Sequence, residues 1–152
     1  MSEVKNGYIY LDHSATTPVD QRVVETVMEF MTARYGNPSS IHAFGRDARQ
    51  ALIEARTTIS ESINCSLEEI YFTSGGTEAD NMALLGYALR NGNKGDRVVI
   101  SNVEHPAVHR SAIELEKHGF EIVIVEADSF GQVSPDALMK EINSKNIMVS
   151  VM

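Results

Sequence analysis

An α/β protein with a parallel sheet is predicted by three observations. Short runs rich in β-branched residues alternate with amphipathic segments of helical length from Ile70 onward. Three of those runs, Arg97–Ser101, Glu121–Val125 and Ile147–Met152, carry apolar residues on both faces, as strands covered on both sides do. A glycine turn, Ser74-Gly75-Gly76-Thr77, separates a first run, Ile70–Thr73, from the helical pattern of Met82, Leu85 and Leu89. Parallel sheets place ligand loops at such junctions.

Taken in order, Tyr8–Leu11 is a short extended segment running into the loop Asp12-His13-Ser14-Ala15-Thr16-Thr17-Pro18. Thr17 is positioned to cap a helix with Pro18 first and Asp20 third, and Val23, Val27, Met28 and Met31 give it an apolar face. A second loop, Tyr35-Gly36-Asn37-Pro38-Ser39-Ser40-Ile41-His42, is rich in turn formers. From Ala43 to about Ile63 a long amphipathic helix carries Ala48, Leu52, Ala55, Ile59 and Ile63 on one stripe. Ile70–Thr73 reads as a buried strand. After the strand Arg97–Ser101, a helix from Pro106 to His118 is closed by Gly119. Glu121–Val125 follows, then a short helix opened by Ser134-Pro135 that carries Leu138 and Ile142, then Ile147–Met152. That last strand ends without a turn or a polar tail, which reads as a chain cut within a domain. Its apolar open edge would recruit other chains.

Composition narrows the function. The 152 residues fit one domain, 43% of them hydrophobic, and the net charge of −8 disfavours nucleic acid or an anionic membrane as partner. No segment reaches membrane-spanning length and the start lacks the apolar core of a signal peptide, so a cytoplasmic protein is expected. Cys65 is the single cysteine, which excludes an intrachain disulfide; it reads as an inert structural thiol.

The glycine turn has two readings. A strand that breaks at two glycines and restarts as a helix leaves N–H groups aimed into the turn, an anion site most often used for phosphate. Alternatively Thr77 simply caps the helix, with Asp80 completing a capping box. His105, directly before the helix-opening Pro106, is either a capping histidine or a flat ring beside the phosphate cradle. His13, His42 and His109 show no tight ligand spacing with it beyond His105-x₃-His109, so a metal is not expected. The turn has neither the Gly-x-Gly-x-x-Gly of a dinucleotide site nor the Gly-Lys-Ser/Thr of a Walker loop.

Four stretches together resemble the cysteine desulfurases, pyridoxal-phosphate enzymes of the class V aminotransferase group with the type I fold. They are Leu11-Asp12-His13-Ser14-Ala15-Thr16-Thr17-Pro18, Gly36-Asn37-Pro38-Ser39-Ser40 with His42 and Gly45, Phe72-Thr73-Ser74-Gly75-Gly76-Thr77-Glu78-Ala79-Asp80-Asn81, and Glu104-His105-Pro106-Ala107-Val108. They occur in the family's order and cover the whole chain. The resemblance implies the N-terminal part of the large domain of a fold-type I transferase, apparently truncated, with residues 1–15 as a segment near the active site and 16–152 as an incomplete domain. It implies pyridoxal 5'-phosphate as cofactor, with Gly76 and Thr77 at its phosphate. His105 would stack on its ring and assist proton transfer, the one catalytic residue assigned here. The loops Asp12–Thr17 and Asn37–His42 would line the active site near a homodimer interface. The implied activity takes sulfur from L-cysteine, giving L-alanine and an enzyme persulfide, for iron–sulfur cluster assembly or tRNA thiolation through an acceptor or scaffold protein.

The family also uses a Schiff-base lysine, an aspartate at the pyridine nitrogen and a nucleophilic cysteine. Lys5, Lys94, Lys117, Lys140 and Lys145 match no such motif, and Cys65 lies in the wrong region. This polypeptide is therefore expected to be inactive alone. The competing readings are a non-catalytic module that binds pyridoxal phosphate or a partner, another class V aminotransferase, and an unrelated nucleotide-binding α/β domain. In the family's sheet, Ile70–Thr73 would lie apart from the other three strands, with the gap filled by sequence this chain lacks.

Overall fold

The computed structural model describes residues 4, 5 and 7–152; of the expected segment 1–15, residues 1–3 and 6 lie outside the described residues. The chain divides into two compact units, residues 1–71 and 72–152.

The first unit opens with a hairpin of β1 (Val4–Lys5) and β2 (Tyr8–Ile9), antiparallel with Val4 opposite Ile9. Helix α1 spans Gln21–Thr32, and its cap is Asp20 rather than Thr17. The Asp20 carboxylate accepts from the Arg22 backbone N–H at 2.9 Å and pairs with the Arg22 guanidinium at 2.8 Å. A carboxylate caps and also opposes the positive end of the helix dipole, which a threonine hydroxyl cannot do. Helix α2 runs Ala43–Ile63, as its periodicity requires, and ends at Asn64 in the left-handed region with φ 54°. Gly36 and Gly45 are fixed by close approach: a Cβ on Gly45 would meet the Ser40 carbonyl oxygen at 2.3 Å, and one on Gly36 the Phe44 carbonyl oxygen at 2.4 Å. The apolar faces of both helices remain largely uncovered; Val27, Met28 and Met31 of α1 are all exposed, and of the α2 stripe only Ala48 is buried.

The second unit holds the sheet. Strand β3 (Arg97–Ser101) is central, with β4 (Glu121–Val125) and β5 (Asn146–Ser150) parallel to it on either side. Every residue of β3 is buried. Ile70–Thr73 does not join this sheet; it is neither a strand nor buried, and Tyr71 and Phe72 are exposed. A strand needs a ladder of N–H and C=O partners, and Ile70–Thr73 pairs in neither sheet.

The helical run after the glycine turn comprises α3 (Gly76–Asn81), a widened π turn over Met82–Gly86, and α4 (Tyr87–Asn91). It buries Leu84 and Ala88, with Leu85 packed beside them, while Met82 and Leu89 stay about half exposed. The π turn inserts an extra residue and rotates the buried face away from the simple spacing. Helix α5 (Pro106–Lys117) contributes Val108, Ala112 and Leu115 to the same core against Val98 and Ile100. It closes as expected on Gly119 at φ +90°: the Gly119 N–H donates to the Glu116 carbonyl and the Phe120 N–H to that of Leu115. Helix α6 (Pro135–Glu141) is opened by Ser134 and stops before Ile142. The Arg97 guanidinium reaches the Glu141 carboxylate at 2.8 Å and that of Glu121 at 3.0 Å, so the end of α6 is tied to the starts of β3 and β4. Those carboxylates hold Arg97 above its usual pKa. Among the described residues no helix is long and apolar enough to cross a membrane.

Candidate functional site

Chain connections fix where the glycine turn and His105 lie. Strand β3 is entered from α4 through residues 92–96 and left for α5 through residues 102–105. Links that short fold each helix back antiparallel to the strand, so both helices start at its carboxyl-terminal edge. A Cβ on Gly92 would touch the Phe120 ring at 3.3 Å, which places the end of α4 beside the start of β4. The two helices are tied by Ser111, buried in α5, whose hydroxyl donates to the Asn81 side-chain oxygen at 2.7 Å. Gly76, Thr77 and His105 thus share one edge of the sheet, as expected for a ligand site in a parallel fold.

At the turn, Gly75 is the residue before the helix, so neither Thr77 nor Asp80 has the capping role open to it in sequence. No side chain caps this helix; the Glu78 carboxylate instead reaches back and accepts from the Ser74 N–H and the Ser74 hydroxyl, both at 2.6 Å. These bonds hold the Glu78 carboxyl below its usual pKa. A carboxylate of lowered pKa stabilises above its unfolded-state value, and the contribution fades as pH falls through the folded value. The Ser74 amide resonance is therefore expected to titrate with a midpoint below that of a free glutamate. A midpoint at or above the free value would contradict the bond. With Glu78 engaged behind the turn, the first N–H groups of the helix have no intrahelical acceptor, and the Thr77 hydroxyl has no protein partner among the described residues. A Cβ on Gly75 or Gly76 would meet nothing within 4 Å, so the space over the turn is open. This is a cradle of the kind an anion fills.

His105 is exposed and caps α5, its Nδ1 accepting from the Ala107 N–H at 3.1 Å. Its loop is anchored by Asn102 and Glu104, to which the sequence assigned no role of their own. Asn102 accepts from the Ala127 N–H at 2.9 Å and donates to the Glu126 carboxylate, tying the exit of β3 to that of β4. Glu104 accepts from the buried Ser101 hydroxyl at 3.2 Å. A polar cluster directly after an apolar strand is the only sequence signal for either.

The lysines lie elsewhere. Lys94 lies three residues before β3, Lys145 immediately precedes β5, Lys117 ends α5, and Lys140 is in the last turn of α6, whose Glu141 bonds the first residue of β3. All four sit at the amino-terminal edge, opposite Gly76 and His105.

In the first unit the two candidate loops are ordered by their own contacts. The Asp12 carbonyl accepts from the Tyr10 hydroxyl at 2.8 Å, and the Tyr10 ring meets that of His13 edge-on at 5.0 Å. In the second loop the Asn37 side chain accepts from the Ser39 N–H, Arg49 donates to the Pro38 carbonyl, and His42 caps α2. Among the described residues no three His, Cys, Asp or Glu side chains gather to hold a metal. Cys65 is free and half-buried.

The chain is 46% identical over 142 residues to the cysteine desulfurase IscS 1 of Archaeoglobus fulgidus, a match covering 93% of this chain and 37% of that protein. Among solved structures, a NifS-like protein superposes with a TM-score of 0.85 at 34% identity, covering 91% of this chain and 38% of that one. SspA in complex with cysteine superposes with a TM-score of 0.85 at 26% identity, covering 93% of this chain and 41% of the other. The chain thus spans well under half the length of the relatives it matches. The profile described as aminotransferase class-V matches residues 9–152. On that match, the chain belongs to the class-V aminotransferase family.

Proposed function

We propose that this chain forms the phosphate-binding part of a pyridoxal-phosphate-dependent cysteine desulfurase and is not competent alone. The observation that carries the reading is the open cradle over Gly75 and Gly76 on the same sheet edge as the exposed His105 ring. The backbone N–H groups at Gly76 and the Thr77 hydroxyl would bind the cofactor phosphate, and the His105 ring would cover the pyridine face. When bound, pyridoxal phosphate supplies the electron sink for bond breaking at the amino acid. The similarity to cysteine desulfurases supports L-cysteine as substrate, with alanine and an enzyme persulfide as products, feeding iron–sulfur clusters or thiolated tRNA. A homodimer partner, a sulfur acceptor or scaffold, a cytoplasmic location, and the assignment of residues 1–15 and 16–152 to an N-terminal segment and the cofactor domain complete the proposal. The placement of Lys94, Lys117, Lys140 and Lys145 at the opposite edge of the sheet favours non-covalent binding by this polypeptide, and weak binding of that kind fits a module that holds the cofactor without turning over.

Titration with pyridoxal phosphate, followed by absorbance, tests the reading. Thr77→Ala is expected to weaken binding by about 1–3 kcal/mol, the range for losing a hydrogen bond to a charged group. Equal affinity in Thr77→Ala and the parent chain would remove Thr77 from the site. Sulfide release from cysteine is expected to stay at the level of cofactor alone, and a clear excess would overturn the claim of incompetence.

A further inference from the structure

Resting on that cofactor reading, we infer that His105 acts toward a ligand as a fixed hydrogen-bond donor at Nε2 and does not shuttle protons while the start of α5 is intact. A neutral imidazole has one N–H and one lone pair. The Ala107 backbone N–H can only donate, so at 3.1 Å the lone pair must be on Nδ1 and the proton on Nε2.

The demand for this bond is written into the helix start. Pro106 has no N–H, so Ala107 carries the first donor of α5, and Ala107 is only 6% exposed. The next two donors, on Val108 and His109, are taken by the His105 carbonyl at 2.9 and 3.3 Å. Only the ring remains for Ala107. Among the described residues no carboxylate forms an ion pair with the ring, and the neighbouring Glu104 accepts from Ser101. His42 caps α2 in the same way, its Nδ1 facing the Gly45 N–H at 3.4 Å.

A lone pair held by a backbone N–H cannot take a proton from a substrate unless the cap opens. The remaining ring atom with polar chemistry is Nε2–H, which suits an anionic oxygen of the ligand. His105 then orients and covers the ligand, and the proton carrier must be another group.

The test uses the full chain with ¹⁵N-labelled histidine at mildly alkaline pH. The minor Nδ1–H form of His105 is expected about fivefold below its level in free neutral imidazole, the effect of a typical N-cap bond. Hydrogen exchange gives a second readout. His105→Phe should lose about fivefold in protection of the Ala107 amide, and His105→Asn, which keeps a short capping acceptor, should retain it. Added pyridoxal phosphate should move the Nε2 resonance and leave Nδ1 in place. Dominance of the Nδ1–H form, full Ala107 protection in His105→Phe, or a ligand-induced shift at Nδ1 would each overturn the inference. If pyridoxal phosphate moves neither nitrogen, the cofactor reading and the donor role toward it both fall, while the tautomer assignment stands.

Discussion

Gly95→Ala is expected to lower stability by about 3 kcal/mol, the upper end of ordinary overpacking. The added Cβ would lie 2.2 Å from the Lys145 carbonyl oxygen and 2.7 Å from the Ile147 Cγ2. The Ile147 methyl can rotate away, but the carbonyl cannot, because it accepts the Arg97 N–H at 3.2 Å at the head of the β3–β5 ladder. The register of that ladder already shifts between Arg97 and Val98, so the strands have no slack at this end. Relief requires β5 to move away from β3, which exposes the apolar residues between them. Gly76→Ala is the matched comparison, since its Cβ meets nothing and its position opens a helix. It should leave stability nearly unchanged and weaken only cofactor binding. Urea unfolding of both variants separates the two cases. Equal stability of Gly95→Ala and the parent chain would show that the close approach of residues 95 and 145 is wrong.

Leu115→Ala is expected to cost about 2–5 kcal/mol, the range for emptying a buried leucine site. Leu115 is fully buried between the sheet and the helical run, in a cluster with Leu84, Ala88, Val98, Ile100 and Ala112. It also supplies the carbonyl that accepts from the Phe120 N–H where α5 hands over to β4. Helices α5 and α3 are joined through Ser111 and Asn81, which limits how far either can move into the vacated space. Against whole-domain stabilities of about 5–15 kcal/mol the loss would be a large fraction. A drop below about 1 kcal/mol in urea unfolding, with an unchanged slope, would place the core elsewhere.

What the sequence disclosed follows from the range of each interaction. Strands β3 and β4 and helices α2 and α5 were legible, the helices to within a residue at each end, because periodicity, Pro106 and Gly119 act locally. The carboxyl edge carrying Gly76 and His105 was legible too, since short connections leave little choice of topology. Ile70–Thr73 was misread because a strand is defined by a neighbour, and its β-branched and aromatic residues say nothing about whether one exists. The start of α1 was misread because Thr17 and Asp20 are both good caps and only the folded geometry chooses. The π turn at Met82–Gly86 carries no sequence mark, so the buried face of the helix was displaced to Leu84 and Ala88. Glu78 was missed because its bond reaches back to Ser74 from within the helix.

The central claim is a phosphate cradle on an edge of the sheet opposite to Lys94, Lys117, Lys140 and Lys145. Its most direct test is borohydride reduction of the chain saturated with pyridoxal phosphate, followed by mass spectrometry of its peptides. The account predicts a cofactor spectrum that is lost on dialysis and no stoichiometric phosphopyridoxyl group on Lys94, Lys117, Lys140 or Lys145. A single lysine modified to stoichiometry would contradict it, because all four lie at the opposite edge of the sheet from Gly76 and His105.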